Sequence, residues 1–327
     1  IFEGAHFEAF KIRIASKDFN QAYAKLRYIY VNFAGMISKI VADMLFGEPL
    51  QIKMDDPKQQ AWLEDFWREN SMRVLTYESA LSNSSKGDAL VKLRVGPRRA
   101  GQESTVIVEP TPSNIYFPWV DPFNVTADPA VKELAWLFKF GTDDYLLREI
   151  HEAKMIHRRC YKMDGYGKVG EEAALSIAGG NLVNDEKIPI DEPLLYHIPN
   201  WRMDDRWNGY SDYYDLDSLF YAINNRVSKI DNVLDKHTDP ILMVPPGVID
   251  PKTGKARKDG RVIEIKEGEN GKPEYIVWDA SLENAYKQIE KLNEFIYLIG
   301  EVSPDILGLG QGVSDSGRAL KFKLMRT

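Results

Sequence analysis

Apolar residues recur at helical spacing up to about residue 84, alternate over short segments from Ala89 to about Asn200, and return to helical spacing beyond Gly209. The last stretch, 209–327, organises the rest. In it Leu216, Leu219, Phe220, Ile223, Val227, Ile230, Val233 and Leu234 fall at three- and four-residue steps, which predicts one amphipathic helix from 212 to about 236. Ser211 or Asp212 supplies its N-cap, and His237-Thr238-Asp239-Pro240 closes it, because the residue before proline is pushed towards extended geometry. Roughly 25 residues at a rise of about 1.5 Å make a rod of about 38 Å. A return helix is predicted over 281–300, capped by Ser281 and striped by Leu282, Ala285, Tyr286, Ile289, Leu292, Phe295, Ile296 and Ile299. The two stripes predict an antiparallel pair. Between them lie strands at 241–244, 261–265 and 274–278, with Asn270-Gly271 as a hairpin signal between the last two. A unit of about 40 residues buries little core alone, so it is expected to lean on a neighbour or on other copies of itself.

The earlier part of the chain reads as a platform. A helix over 20–46, through Leu26, Ile29, Phe33, Ile37, Ile40, Met44 and Leu45, closes in Gly47-Glu48-Pro49. A short strand at 50–53 follows. Asp56 before Pro57 then starts another helix, with Trp62, Phe66 and Trp67 on its apolar face. A third helix over 73–84 meets a turn at Ser85-Lys86-Gly87-Asp88. Strands are predicted at 90–95, 105–109, 134–140, 148–161 and 194–198, with a loop-like tract over 165–180. Helices first and strands after give an α+β fold.

Composition narrows the picture only a little. The chain has 327 residues, 44% of them hydrophobic and 28% charged, enough for more than one cored domain. It opens on Ile1 and stops at Thr327 inside a helix-like segment, the pattern of a portion of a longer protein. Its one cysteine, Cys160, leaves no internal disulfide framework. Without an apolar run of about 20 residues, no membrane span is expected. A net charge of −7 argues against a broad basic surface that grips nucleic acid, though not against one that lets it pass.

Candidate chemistry is sparse. His151 and His157 fall on one face if 148–161 is a single strand, but no third metal ligand is evident. Asp212, Asp215 and Asp217 suit the first turns of a helix, where negative charge complements the dipole. Gly308, Gly310 and Gly312 lack the Lys-Ser/Thr pair of a phosphate loop. No catalytic set, metal or cofactor is therefore expected. The excursion between the helices carries Lys252, Lys255, Arg257, Lys258 and Arg261 against Asp250 and Asp259, the charge of a solvated tip.

Several segments, in order, resemble the portal (head-to-tail connector) proteins of tailed bacteriophages, especially those of long-tailed phages of Gram-positive hosts. They are Asn208-Gly209-Tyr210-Ser211-Asp212 with Leu216; a long helix with Asn224, Asn225 and Ser228 ending in Asp239-Pro240-Ile241-Leu242; Phe46-Gly47-Glu48-Pro49 near the start; and Ser316-Gly317-Arg318-Ala319-Leu320-Lys321 at the end. The resemblance implies a homododecameric ring at one capsid vertex, through which double-stranded DNA is packaged and later ejected. It implies a wing at 1–208, stem helices at 209–237 and 281–300, a clip at 238–280, a tunnel loop at 301–316, and the start of a further helix at 317–327. The crown of such proteins would lie outside this chain. The implied DNA-facing loop residues are Val302, Leu307, Gly308, Leu309, Gly310, Gln311, Gly312 and Val313, with Lys229, Asp231, Asp235 and Lys236 on the stem. The basic clip tip would dock the terminase large subunit and then a head-tail adaptor, and capsid and scaffolding proteins would be further partners. The expected places are the virion and, during assembly, the host cytoplasm.

Two other readings stay open at this point. One is a metal-dependent phosphodiester-processing enzyme using Asp204, Asp205 and the histidines; the other is a non-viral helical scaffolding module.

Overall fold

A computed structural model of the chain describes residues 28–97, 103–180, 182–237, 241–244, 262–264, 274–276, 282–304 and 306. The mixed helix and sheet content agrees with the α+β expectation. Two compact units emerge: Met36–Tyr214, and Ile1–Gly35 with Asp215–Thr327.

The first unit opens with helices. Helix α1, Phe33–Phe46, is shorter than the sequence pattern, since residues 28–32 are not helical. Ile37, Ile40 and Ala42 are buried on it, and the Gly47 amide donates to the Asp43 carbonyl to close its last turn. Residues 50–53, predicted as a strand, pair with no strand among the described residues. Helix α2, Pro57–Glu69, starts as its sequence dictates: Asp56 caps it by accepting from the Lys58 amide at 2.8 Å, with proline in the first turn. No residue of α2 is buried, and Trp62 stacks on Phe66 at the surface. Helix α3, Met72–Lys86, runs two residues further than predicted and ends on Gly87, whose φ of +85° is the left-handed cap that glycine adopts without strain. Ser84 on α3 and Ser38 on α1 share a buried hydroxyl contact at 2.9 Å.

Two antiparallel sheets follow. Strands β1 (Asp88–Pro97), β2 (Ser104–Thr111) and β9 (Leu195–Pro199) form the smaller, in the order β2-β1-β9. The larger runs β3 (Tyr116–Pro118), β4 (Lys132–Phe140), β5 (Asp143–Glu152), β6 (Met155–Met163) and β7 (Val169–Ala173), with β8 (Asp185–Lys187) also pairing β6. The predicted single strand at 148–161 is thus a hairpin, turning at Ala153-Lys154 with Lys154 at φ +66°. The turn lacks the glycine or asparagine that announces such loops; instead Lys154 exchanges backbone bonds with Ile188 and Ile190. The loop-like tract at 165–180 likewise contains β7 and a 3-10 turn, Leu175–Ala178. Leu90, Tyr116, Leu134 and Leu195 form a core shared by strands of both sheets, and Tyr145, Cys160 and Leu175 a second cluster. Cys160 is fully buried, and burial pushes its thiol pKa up.

Glu149 on β5 ties the sheets together electrostatically. One carboxylate oxygen accepts from Lys92 of β1 at 2.6 Å and from His151 at 2.9 Å; the other accepts from Arg158, its cross-strand partner on β6. Arg158 also reaches Glu186 on β8 at 2.6 Å. Burial pushes Glu149 up, but the His151 hydrogen bond and Lys92 outweigh it and hold the carboxyl well below the usual range.

In the second unit, a 3-10 turn at Tyr214–Leu216 leads into helix α4, Asp217–His237, and helix α5 spans Glu283–Ile299. The N-cap position of α5 is Leu282, which offers no side-chain bond, so the predicted Ser281 cap is not the one used. Strands β10 (Ile241–Val244), β11 (Val262–Glu264) and β12 (Glu274–Ile276) form a small sheet in the order β11-β10-β12. The hairpin expected at Asn270-Gly271 is overturned: β11 and β12 are separated by β10, which pairs parallel to the one and antiparallel to the other. An unbroken apolar strand such as Ile241-Leu242-Met243-Val244 suits a central position.

The buried His151 makes the first unit acid-sensitive. Burial holds its pKa below the ordinary value, against the upward pull of Glu149. The unfolded chain binds a proton there near pH 6.5 while the folded one resists, so stability falls as pH drops from about 6.5 towards the depressed folded value. Glu149 adds a second loss below about pH 4.3. His151→Gln keeps a donor for Glu149 without titrating, and its melting temperature is expected to be flat between about pH 6.5 and 5 where that of the natural chain declines. An unchanged slope assigns the sensitivity to another group.

Candidate functional site

The segment that leads into α4 is fixed by a close approach of two backbones. A Cβ on Gly209 would lie 2.2 Å from the Gly87 carbonyl oxygen, and one on Gly87 would lie 2.4 Å from that of Gly209, so neither position admits a side chain. Three bonds hold the approach. The Gly209 amide donates to Asp88 Oδ1 at 2.9 Å, the Asn200 amide to the Gly87 carbonyl at 2.8 Å, and the Asp212 amide to the Ser84 carbonyl at 3.0 Å. Asp88 Oδ1 also contacts His197 Nε2 at 2.7 Å, and His197 packs among Tyr116 and Trp207. On the outer side Trp201 stacks on Tyr210 at 4.4 Å, and the Arg206 guanidinium lies 4.4 Å from the same ring. Asp212, expected in the first turn of the helix, instead accepts from the Asn200 side chain ahead of it.

Helix α4 buries Leu216, just ahead of it, with Phe220, Ile223, Asn224, Ser228 and Ile230, the predicted stripe with two polar residues set into it. A fully buried large apolar side chain contributes about 1.5–3 kcal/mol, whereas a buried amide costs stability unless it is bonded. Here both polar residues are. Asn224 Oδ1 accepts from the Val31 amide at 2.8 Å, and Ser228 Oγ accepts from the Ile29 amide at 2.9 Å while donating to the Asn224 carbonyl at 2.7 Å. One helical turn apart, they clamp the backbone of the segment before α1. Burial pushes the Tyr28 hydroxyl pKa up beside this clamp.

Helix α5 packs against α4, with Ile296 fully buried and Tyr297 meeting Phe33 edge-on at 6.1 Å. The predicted stripe proves wider than the packed seam. Ala285, Ile289, Leu292 and Ile296 are wholly or partly covered, but Tyr286, Phe295, Leu298 and Ile299 are exposed, Leu298 to 69%.

The sequence-predicted site residues divide unevenly. Val302, expected to face DNA, is only 2% exposed and donates its amide to the Tyr297 carbonyl, so its side chain is packed. Leu307, Gly308, Leu309, Gly310, Gln311, Gly312 and Val313 lie outside the described residues, as do Lys252, Lys255, Arg257, Lys258 and Arg261. On α4, Lys229 and Asp231 are half-buried and Asp235 is exposed; the side chain of Lys236 is not among those described. His151 and His157 do not share a face: the turn at Ala153-Lys154 places them on neighbouring strands, one buried beside Glu149, the other outside against Asp185 at 2.6 Å. Asp205 pairs with Arg206. Among the described residues no group of three histidine, cysteine or acidic side chains is arranged to hold a metal ion, and no helix is long and apolar enough to cross a membrane. The backbone clamp was missed in sequence. Its signal is a polar pair four residues apart inside an apolar stripe.

A family profile described as "Phage portal protein, SPP1 Gp6-like" matches residues 11–327. A comparison with curated proteins returns no match.

Asn224→Ala leaves the Val31 amide without its acceptor, a loss of about 1–3 kcal/mol for a partly buried donor. The expected result is faster hydrogen exchange at Val31 and Ile29 with α4 still helical. Unchanged exchange at both amides removes the clamp.

Proposed function

The chain belongs to the SPP1 Gp6-like family of phage portal proteins, and from that membership we propose that it assembles into a closed, homododecameric ring that conducts double-stranded DNA through one vertex of the capsid. A role in capsid assembly and genome packaging accompanies the family; passage of the genome outward at ejection is part of the proposal. The observation that carries the ring is the exposed apolar flank of α5. Phe295, Leu298 and Ile299 fall at three- and four-residue steps on a flank beside the packed Ile296, yet the single chain leaves them in water. Side-by-side copies would bury that flank, in the heterologous contact from which rings are built.

In this reading α4 and α5 are the stem, 238–280 the clip, 301–316 the tunnel loop and 1–208 the wing. DNA passes without being held. A handful of phosphate contacts already binds DNA strongly and with steep salt dependence, so a repeated cationic lining would arrest it. On α4, Asp231 and Asp235 offset Lys229 and Lys236. The loop residues Leu307 to Val313 carry no ionisable side chain, which suits contact with a moving duplex; Val302, being buried, drops out of that set. The protein supplies the path rather than the chemistry. A separate ATPase, the terminase large subunit, supplies the free energy and docks on the clip during filling, and a head-tail adaptor takes its place afterwards. Capsid and scaffolding proteins surround the wing at the virion vertex, and assembly takes place in the host cytoplasm.

Negative-stain microscopy and mass photometry of the protein are expected to show rings with an open axis. A population that stays monomeric at micromolar concentration under assembly conditions sinks the proposal. Charge reversal at Lys255, Arg257 and Lys258 is expected to leave rings intact while lowering DNA packaging and tail joining at least tenfold; normal packaging and joining would clear the tip of a docking role.

A further inference from the structure

Phe123 stands almost wholly in water, 97% exposed on the connection between β3 and β4. The turn that carries it is braced. Asp121 Oδ1 accepts from the Phe123 amide at 2.8 Å, the Asp121 carbonyl accepts from the Asn124 amide at 3.1 Å, and the Asn124 carbonyl accepts from the Ala127 amide at 3.1 Å. Arg202 fastens one end by donating to the Thr126 carbonyl at 2.8 Å, and Trp119 Nε1 fastens the other by donating to Glu133 at 3.1 Å. Pro122 adds a fixed φ. A phenyl ring held out by such a turn loses little freedom when it docks, the property of an interface anchor. Tyr166 is 93% exposed, but it sits between Gly165 and Gly167 and carries a hydroxyl that water satisfies.

The same unit carries a receptor of matching chemistry. Gln60 of α2 holds the Met54 amide at 2.9 Å, so residues 50–54 lie beside a helix that itself buries nothing. The two line a groove of about 400 Å³ with Leu50, Ile52, Leu63 and Trp67 as its apolar wall. Its charges are of both signs. Arg68 is neutralised by Asp65 at 2.5 Å, Glu64 accepts only the neutral Gln60 amide at 2.8 Å, and Lys53 meets no anion among the described residues. The groove therefore suits an apolar ring flanked by an anion for Lys53 and a donor for Glu64. The turn offers all three. Asp121 meets no cation among the described residues, and Asn124, whose Oδ1 takes the Thr126 hydroxyl at 3.3 Å, keeps its side-chain nitrogen for a new acceptor.

We propose that Phe123 of one copy inserts into the groove between 50–54 and α2 of a second copy, with Asp121 towards Lys53 and Asn124 Nδ2 towards Glu64. The contact deepens the ring reading and rests on it, since a knob on one surface and a groove on another repeat from copy to copy as a heterologous interface. The size of the knob points to a second copy as the occupant's source. One aromatic side chain buries about 150–250 Å², far below the roughly 1,200–2,000 Å² of a stable interface, so it needs a partner already held alongside. A ring of identical chains supplies that partner.

Rings of the natural chain are first sought by mass photometry; their absence overturns the ring reading and this contact with it. Phe123→Ala removes a side chain that is exposed in the single chain, so the melting temperature of the monomer is expected to stay the same. The concentration at which half the protein is in rings is expected to rise about tenfold or more. Rings that form as readily as before overturn the contact alone. The groove is tested by Pro122→Cys paired with Gln51→Cys, both exposed and both leaving the knob in place, while Cys160 is fully buried and does not compete. A short bismaleimide is expected to give a ladder of covalent dimers and higher species, absent from either single variant. Rings without cross-links, or cross-links confined to single chains, overturn the contact. Should the cysteine pair prevent assembly, hydroxyl-radical labelling of the natural chain decides: Phe123 and Trp67 are expected to lose most of their labelling in rings relative to monomers, and equal labelling overturns it.

Discussion

Gly87 and Gly209 touch backbone to backbone, and much of the first unit's geometry follows from that contact. Gly87 ends α3 and hands the chain to β1, while Gly209 lies between the end of β9 and the start of the 3-10 turn before α4. Fastening these two points together sets where the chain leaves the sheets. The fastening is polar as well as steric: Asp88 answers the Gly209 amide and His197 at once, so one buried carboxylate serves a strand, its neighbour and the departing segment. A side chain at either glycine would have to push a carbonyl aside, and no rotamer relieves a clash with backbone.

The second unit uses polar residues differently. Asn224 and Ser228 occupy an apolar seam where two leucines would bury more hydrocarbon, and in exchange they satisfy backbone amides of a segment far away in sequence. Leucines there would leave those amides unpaired, which forfeits more than the added apolar contact returns. The same logic governs Glu149, whose three donors come from two sheets. In each case the polar group specifies a partner, while apolar burial supplies most of the stabilisation.

How much of this was legible depended on whether the signal was local. The Asp56-Pro57 start of α2 and the stripe of α4 both rest on neighbours within a turn or two, and both stand where the sequence puts them. The turn at Ala153-Lys154 was invisible because its conformation is braced by Ile188 and Ile190, distant in sequence, rather than by its own residues. The Asn270-Gly271 hairpin failed for the opposite reason: a strong local signal gave way to the central apolar strand β10, which claims both neighbours. Val302 has the sequence setting of a loop, yet its amide closes the end of α5 on the Tyr297 carbonyl. The clamp escaped because Asn and Ser within a stripe look like interruptions until the segment they bind is in place.

The exposed half of the α5 stripe connects this physics to function. A helix that buries one flank and leaves Phe295, Leu298 and Ile299 in water is unfavourable as a monomer's final state but well suited to one wedge of a ring. In the proposed ring each added copy would cover its neighbour's flank, so hydrophobic burial would favour closure, since an open end leaves flanks wet. The axis of the proposed ring would obey a different demand, since attraction to phosphate would have to stay weak there. In the proposed ring apolar residues would lie where copies meet and charges of both signs elsewhere on the helices, which would divide adhesion between subunits and indifference to cargo between faces of the same helical pair.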